Sequence, residues 1–407
     1  MLDSTVMRAI VCVWALLLPS LASAKAQPQP LAQLDRAKLV NLAPLLRGAE
    51  LSLIESTEQG HIKQLTTISL VNAPPAEVRE LVAHPEHYGD FVRNMSESTI
   101  KPDAEGGTFV HQYRLSYKVY SVEGRHRYVM LPPELGDAVP PVDMYDPDDN
   151  GRRHYKWQFL AAEGGGTILV LYGFTVIPQD GFMKQYMDRA QTLELGLGLI
   201  PQLTLQLAVK ERAEQLARGK VTGVPTGKPS FNFLLERGTV ALFLANKGHL
   251  AEVRLIDNVN AAAEATIKVV ADIKHWKEFV PTISESYDLG VVKGQPMAEF
   301  EQSVPLLSWS TKWIVKADAK SVDLFGDDGD LRLSRLRWDV MPATAGKTQL
   351  ILRADEAFEN TSIVLRSLYK LEPLFKYGVN VGLGLVVLKG IELKAESLPR
   401  SATVHVP

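Results

Sequence analysis

Cysteine is nearly absent from this chain, since its 407 residues include only Cys12. That residue lies in an N-terminal stretch with a basic residue, an apolar run and small residues ending at Ala24, which is the pattern of a cleavable secretory signal peptide. Once this stretch is removed, the chain has no disulfide and no thiolate ligand. An exported protein without cysteine is typical of a bacterial periplasm, which is therefore the predicted location.

An excess of charge of one sign is also missing. The chain has 44 Lys and Arg against 47 Asp and Glu, for a formal net charge of −3. A nucleic-acid partner requires a strongly basic face, so this balance argues against one. Apolar runs at 195–209 and 379–388 are too short to cross a membrane. We therefore expect the mature protein to be soluble.

Fingerprints of common enzymes and cofactor sites are missing as well. The sequence contains no Gly-x-Ser-x-Gly elbow, no P-loop and no dinucleotide fingerprint after a strand. Gly196 and Gly198 fall in an apolar helical run, where close packing is the simpler interpretation. We predict no cofactor.

Two patterns resemble metal sites, but both are incomplete. His84 and His87 have the spacing of ligands, yet no third ligand accompanies them. The stretch from Asp146 to Gly151 begins like a calcium-binding loop, but Trp157 stands where the bidentate glutamate should be. We predict no metal site.

What the sequence does contain is an internal repeat. Residues 72–98 align without a gap on residues 260–286, and ten of the 27 positions are identical. Composition alone predicts about one or two identities, so the chain contains two copies of one domain. The predicted organisation is a signal peptide (1–24), a tether with a short helix (25–44), domain 1 (45–218), a linker (219–230), domain 2 (231–398) and a tail (399–407).

Both copies have the same predicted order of elements. A hairpin of two apolar strands is followed by two short helices, a run of antiparallel strands and a long closing helix. The first closing helix is predicted over 181–216 with an interruption near Gly196, Gly198 and Pro201, and the second over 362–396. This order predicts an α+β fold in which a curved antiparallel sheet wraps around the last helix.

The first copy also carries a family resemblance. Asn72 to Pro75, a helix containing Val78 and Leu81, and the stretch His84 to Val92 resemble the opening of the START-like (SRPBCC / Bet v1-like) superfamily. The most similar branch is that of the polyketide cyclases and coenzyme Q-binding proteins.

The second copy keeps part of this motif. It retains Asn260-Ala261, Asp272, Trp276 and Phe279-Val280, but it lacks the prolines of the first copy. The resemblance implies two tandem helix-grip domains, each with two short helices after the first strand. It also implies a cavity between the sheet and the C-terminal helix that holds lipids, sterols, quinones or polyketides. It transfers no set of catalytic residues.

Alternation along the strand predicted over 108–120 defines the candidate site. The candidate ligand-binding residues of the first copy are Phe109, His111, Tyr113, Leu115, Tyr117, His126, Tyr128 and Trp157, and those of the second copy are Phe300, Trp309, Thr311 and Trp313. An empty, dry cavity of roughly 400 Å³ would cost about 10 kcal/mol, so the polar side chains of the first copy favour a pocket over an ordinary core. The second set is drier and bulkier, which fits either a more apolar ligand or a filled core.

Three functions follow as hypotheses. The preferred one is an exported carrier of a hydrophobic small molecule or lipid, with transient membrane contact for loading. An alternative is a cyclase or dehydratase acting on a polyketide-like substrate, with His111 or His126 as acid or base and Tyr113 or Tyr128 as hydrogen-bond donor. A second alternative is a structural protein with filled pockets. The sequence leaves the oligomeric state open.

Overall fold

A computed structural model describes residues 28, 30–58, 60–103, 108–116, 121–147, 153–174, 192–221, 223–246, 249–304, 307–343, 346–355, 366 and 375–398. The signal-peptide stretch, Tyr117 and the tail lie outside the described residues. Among the helices that the structure describes, none combines the length and apolarity needed to span a bilayer.

Strands and helices alternate in the same way in the two halves of the chain. The strands of the first half are β1 (Ala49–Ser56), β2 (Ile62–Val71), β3 (Met95–Pro102), β4 (Thr108–Ser116), β5 (Ser121–Met130), β6 (Val142–Tyr145), β7 (His154–Ala161) and β8 (Thr167–Phe174). Its helices are α1 (Arg36–Val40), α2 (Ala43–Leu46), α3 (Pro75–Ala83) and α4 (Thr192–Leu216), with a 3-10 helix at Pro85–Asp90.

The second half repeats this plan. Its strands are β9 (Thr239–Asn246), β10 (His249–Val259), β11 (Ile283–Val292), β12 (Gln295–Val304), β13 (Leu307–Ala317), β14 (Ser321–Gly329), β15 (Arg335–Pro342) and β16 (Thr348–Asp355). Its helices are α5 (Asn232–Leu235), α6 (Ala263–Ala271) and α7 (Phe375–Ser397), with a 3-10 helix at Ile273–Glu278. The predicted α+β class, with an antiparallel sheet, is confirmed.

The sixteen strands that the structure describes belong to one sheet, ordered β11-β12-β13-β14-β15-β16-β10-β9-β1-β2-β8-β7-β6-β5-β4-β3. The halves join where β1 pairs with β9 in antiparallel fashion, with Leu51 opposite Leu242 and Ser52 opposite Ala241. Nothing in the sequence repeat predicts this pairing. Because backbone hydrogen bonds cross the junction, the two halves form one continuous structure.

The long helices α4 and α7 meet at the same junction. A Cβ atom at Gly196 would lie 2.6 Å from the Cα atom of Gly382, and even closer to the carbonyl oxygen of Gly378. Gly196 and Gly382 occupy equivalent places in the two copies, as do the central residues of β1 and β9. Equivalent residues meet where a two-fold axis passes. The contact between β1 and β9 and the contact between Gly196 and Gly382 therefore indicate a pseudo-two-fold axis that relates the halves and passes through both contacts.

Helix α4 differs from the prediction at one place. The expected interruption near Gly198 and Pro201 is wrong, because the helix continues through both residues. A proline inside a helix removes one hydrogen bond and disfavours the preceding turn. Here tertiary packing outweighs that preference, since Leu199 and Leu203 are buried between the sheet and α7. The predicted part of this helix at 181–191 lies outside the described residues.

Two buried glutamines attach α4 to the sheet. Gln202 Nε2 donates to the carbonyl oxygens of Leu171 at 2.6 Å and Leu65 at 3.2 Å. One turn later, Gln206 Nε2 donates to Ser69 Oγ at 2.9 Å and to the carbonyl oxygen of Leu169 at 3.1 Å. These bonds use the amide N–H groups of both buried side chains and fix the position of the helix over β2 and β8.

Candidate functional site

The inner face of the first half is built by strands β4 and β5. Their register places Phe109 opposite Tyr128, His111 opposite His126 and Tyr113 opposite Gly124. Directly opposite residues of an antiparallel pair share a face and touch, so one strand pair brings five predicted site residues together.

These rings form a cluster with two further tyrosines, Tyr88 and Tyr155. Ring centroids lie 5.0 Å apart for Phe109 and Tyr128, 5.5 Å apart for His111 and Tyr113, and 5.2 Å apart for Tyr113 and His126. Tyr88 contacts His111 at 5.7 Å, and Tyr155 contacts His126 at 5.5 Å. We define the first-half ring cluster as Tyr88, Phe109, His111, Tyr113, His126, Tyr128 and Tyr155.

A glycine makes room within this cluster. A Cβ atom at Gly124 would lie 2.7 Å from Cε1 of Tyr113, and closer still to its hydroxyl group. The Tyr113 ring therefore lies across the backbone of β5, in the space that a side chain at position 124 would otherwise occupy. Tyr155 lies over Gly173 in the same way, beside Gln202 of α4, which places the cluster next to the helix.

Two tyrosine hydroxyl groups are committed to an internal chain of hydrogen bonds. The Tyr128 hydroxyl donates to the Tyr88 hydroxyl, which donates to the carbonyl oxygen of Val82 at 3.2 Å. Burial raises the pKa of both phenols. Because a hydroxyl group has one hydrogen, Tyr128 could donate to a substrate only after breaking this bond.

The two histidines are buried and neutral. Burial lowers the pKa of His111 to about 4 and that of His126 to about 3. The Nδ1 atom of His111 and the Nε2 atom of His126 have no hydrogen-bond partner among the described residues. An unpartnered polar atom in a buried place costs roughly 1–3 kcal/mol, so these two nitrogens mark the cluster as a place that a ligand could complete.

Part of the inner face of the first half is also reachable by solvent. Phe109, Tyr113, Leu115 and Tyr155 are half-buried, although they belong to the face that the cluster occupies. Trp157, by contrast, is fully buried, and its Nε1 donates to Met144 Sδ at 3.1 Å. The structure therefore places Trp157 in the core below the cluster, and Tyr117 lies outside the described residues.

The corresponding face of the second half is filled. Phe300, Trp309, Thr311 and Trp313 are all buried. Phe300 stacks on Trp313 at 5.3 Å, and Trp276 contacts Phe300 at 5.5 Å and Trp338 at 6.2 Å. We define the second-half ring cluster as Trp276, Phe300, Trp313 and Trp338.

The strand register shows how the two faces correspond. Ser98 lies opposite Tyr113, and its repeat equivalent Ser286 lies opposite Phe300. Two residues before Phe300, Ala298 takes the place of His111, and its cross-strand partner Trp313 takes the place of His126. The pair of histidines in the first half therefore corresponds to a pair of alanine and tryptophan in the second half. The indole ring of the tryptophan occupies the space between the two strands' inner side chains.

Sequence reasoning overlooked several residues of the site. Tyr88 and Tyr155 contact the two histidines, and Ser98 makes a hydrogen bond to His111. Ser98 carried a signal, since it is one of the ten positions identical in the two copies. Gly124 carried none, because a glycine within a strand gives no indication of which ring crosses it.

The metal-like patterns lie elsewhere, and so does one surface cavity. His84 pairs with Glu80 and Glu86, and His87 lies beside Asp90. In the described part of the chain, no three His, Cys, Asp or Glu side chains are grouped to hold a metal ion, and residues 148–152 of the calcium-like loop fall outside it. A surface cavity of about 640 Å³, lined by residues such as Lys38 and Phe233, shares no residue with the first-half ring cluster.

Comparison with known proteins gives matches among solved structures only. No family model matches the chain, and no curated protein matches it. The di-domain ARO/CYC StfQ from the steffimycin biosynthetic pathway is 13% identical over 81% of this chain and 98% of its own, with a TM-score of 0.29. The di-domain ARO/CYC BexL from the BE-7585A biosynthetic pathway is 13% identical over 83% of this chain and 100% of its own, with a TM-score of 0.29.

A shorter match covers less of the chain. A STAR-related lipid transfer protein from Xanthomonas axonopodis is 16% identical over 39% of this chain and 94% of its own, with a TM-score of 0.31. The words ARO/CYC and STAR-related lipid transfer describe those proteins and not this chain. At such identities and TM-scores, they assign no ligand and no activity to this chain.

Proposed function

We propose that this protein is an exported carrier that binds one hydrophobic small molecule in its first half, between the sheet and α4. The second half serves as a structural partner. The observation that carries the proposal is the contrast between the two inner faces. The first is lined by half-buried rings, those of Phe109, Tyr113 and Tyr155, whereas the second is occupied by the fully buried ring of Trp313.

Binding fits the histidines better than catalysis does. A general base is most effective when its pKa is near the working pH. With pKa values of about 4 and 3, His111 and His126 hold protons too weakly to act as bases at pH 7. Neutral imidazoles in an aromatic setting instead suit the recognition of an apolar molecule with one or two polar groups. The hypothesis of a cyclase or dehydratase therefore has less support than that of a carrier, even though two similar structures bear the name ARO/CYC.

Native mass spectrometry of the mature protein purified from the envelope of its own host tests this proposal. We expect one adduct per chain, released by organic extraction and identifiable as a lipid, sterol, quinone or polyketide-like compound. His126→Phe should reduce retention of the adduct by about tenfold, because an apolar ring removes the polar contact. Trp313→Phe is the matched control in the second half and should leave the adduct in place.

Two results would contradict the proposal. One is a protein without any adduct that also fails to bind apolar fluorescent probes at micromolar concentration. The other is equal loss of ligand in the His126 and Trp313 variants, since that would place the ligand outside the first half or between the halves.

A further inference from the structure

The position of one proton in the first-half ring cluster can be deduced from hydrogen-bond chemistry. Ser98 Oγ lies 2.5 Å from the carbonyl oxygen of Pro85 and 2.8 Å from His111 Nε2. A carbonyl oxygen can only accept, so the single hydroxyl hydrogen of Ser98 goes to Pro85. Both bonds then exist only if His111 Nε2 carries a hydrogen and donates it to Ser98 Oγ.

This arrangement fixes the tautomer of His111. Because a neutral imidazole has one N–H group, a hydrogen on Nε2 leaves Nδ1 as an acceptor with a free lone pair. That acceptor is buried and has no partner among the described residues. The nearby hydroxyl hydrogens of Tyr88 and Tyr128 cannot satisfy it, since they belong to the chain that ends at Val82.

We propose that the first-half site selects apolar molecules that carry a hydrogen-bond donor, such as a phenol or an alcohol, and that the ligand's O–H group donates to His111 Nδ1. This inference rests on the proposed function and names the ligand class. A ketone, an aldehyde or a fully oxidised quinone has only a carbonyl as its polar group. Its oxygen lone pair would face the lone pair of His111 Nδ1, and two acceptors form no hydrogen bond. Ser98 is therefore a specificity-determining residue that acts through His111.

Three probes of nearly equal size separate the possibilities. 4-Octylphenol carries a donor, 4-octylbenzaldehyde carries only an acceptor, and 4-octyltoluene carries neither. Their affinities for the delipidated mature protein are measured by competition against an apolar fluorophore. We expect the phenol to bind about tenfold more tightly than the other two, because one hydrogen bond is formed and a buried acceptor is satisfied.

Ser98→Ala provides the internal test. Without the serine, His111 can carry its proton on either nitrogen, so the preference for phenol over aldehyde should fall to about threefold or less. Ser286→Ala is the matched control. Ser286 Oγ donates to the carbonyl oxygen of Lys274 at 2.9 Å and accepts from the backbone N–H of Lys277 at 3.3 Å in the second half. Neither bond involves an imidazole, so this variant should keep the full preference.

Nitrogen NMR of the wild-type protein at pH 7 reads the tautomer of His111 directly, without a ligand or a variant. An Nε2–H signal is expected, and an Nδ1–H signal would overturn the inference. Equal affinities for all three probes would also overturn it while leaving the carrier proposal intact. If none of the probes binds, the proposed function itself fails.

Discussion

At the crossing of α4 and α7, the structure predicts whether a substitution raises or lowers the free energy of unfolding. Replacing glycine by alanine within a helix normally stabilises it by about 1 kcal/mol. At Gly196, however, the new Cβ atom would lie 2.6 Å from the Cα atom of Gly382 and closer still to a backbone oxygen of Gly378. Non-bonded carbon atoms pack at about 3.5–4.0 Å, so the two helices would have to separate by about 1 Å.

Overpacking of this kind costs about 1–3 kcal/mol, and more when the obstruction is backbone. Because the cost exceeds the gain in helix propensity, we expect Gly196→Ala to destabilise the protein by about 1–2 kcal/mol. Urea unfolding followed by tryptophan fluorescence and far-UV circular dichroism measures the change as a shift in midpoint at constant slope.

Gly198→Ala is the matched control on the same helix. Its Cβ atom would meet Cδ1 of Ile62 at 2.6 Å, which is the end of a flexible side chain that can move away. We expect this variant to remain within about 1 kcal/mol of the wild type. If Gly196→Ala proves as stable as Gly198→Ala, the close contact between the helices is refuted, and with it the position of the pseudo-two-fold axis.

Three further outcomes are expected. The unfolding free energy of the wild type should fall relative to that of His126→Phe from pH 6.5 toward pH 4, because His126 stays neutral in the folded state while the unfolded chain binds a proton there; a difference between the two proteins that does not change with pH would contradict this. Gly124→Ala should push Tyr113 aside and weaken binding of the phenol probe by about tenfold, and unchanged affinity would show that the ring is not part of the site. Trp313→Ala should lower the unfolding free energy by about 3–5 kcal/mol without changing phenol affinity, and a parallel loss of affinity would show that the halves do not act separately.

The alternation of polar and apolar residues was enough to predict the inner face of the site. It assigned Phe109, His111 and Tyr113 to one face, and it assigned His126 and Tyr128 to the same face from the neighbouring strand. The structure confirms that these rings touch. Such a prediction succeeds because the period of two along a strand is a local property.

Other features depend on distant parts of the chain and could not be read locally. Strand β6 lies in a connection rich in proline and aspartate, and its pairing with β5 and β7 outweighs that composition. The continuity of α4 through Pro201 depends on its burial against α7. The Ser98 contact with His111 requires the pairing of β3 with β4, whose register is shifted by a bulge near Met95.

The pseudo-two-fold axis has a consequence for how this protein could have changed over time. In a homodimer of identical chains, every substitution appears twice, so replacing a buried histidine by tryptophan would change both inner faces at once. Fusion of the two copies into one chain removes that constraint. One copy can lose its site and gain a dense, stable core, while the other keeps an open and less well-packed face. Covalent duplication thus permits an asymmetry between stability and recognition that a symmetric assembly of separate chains could not acquire.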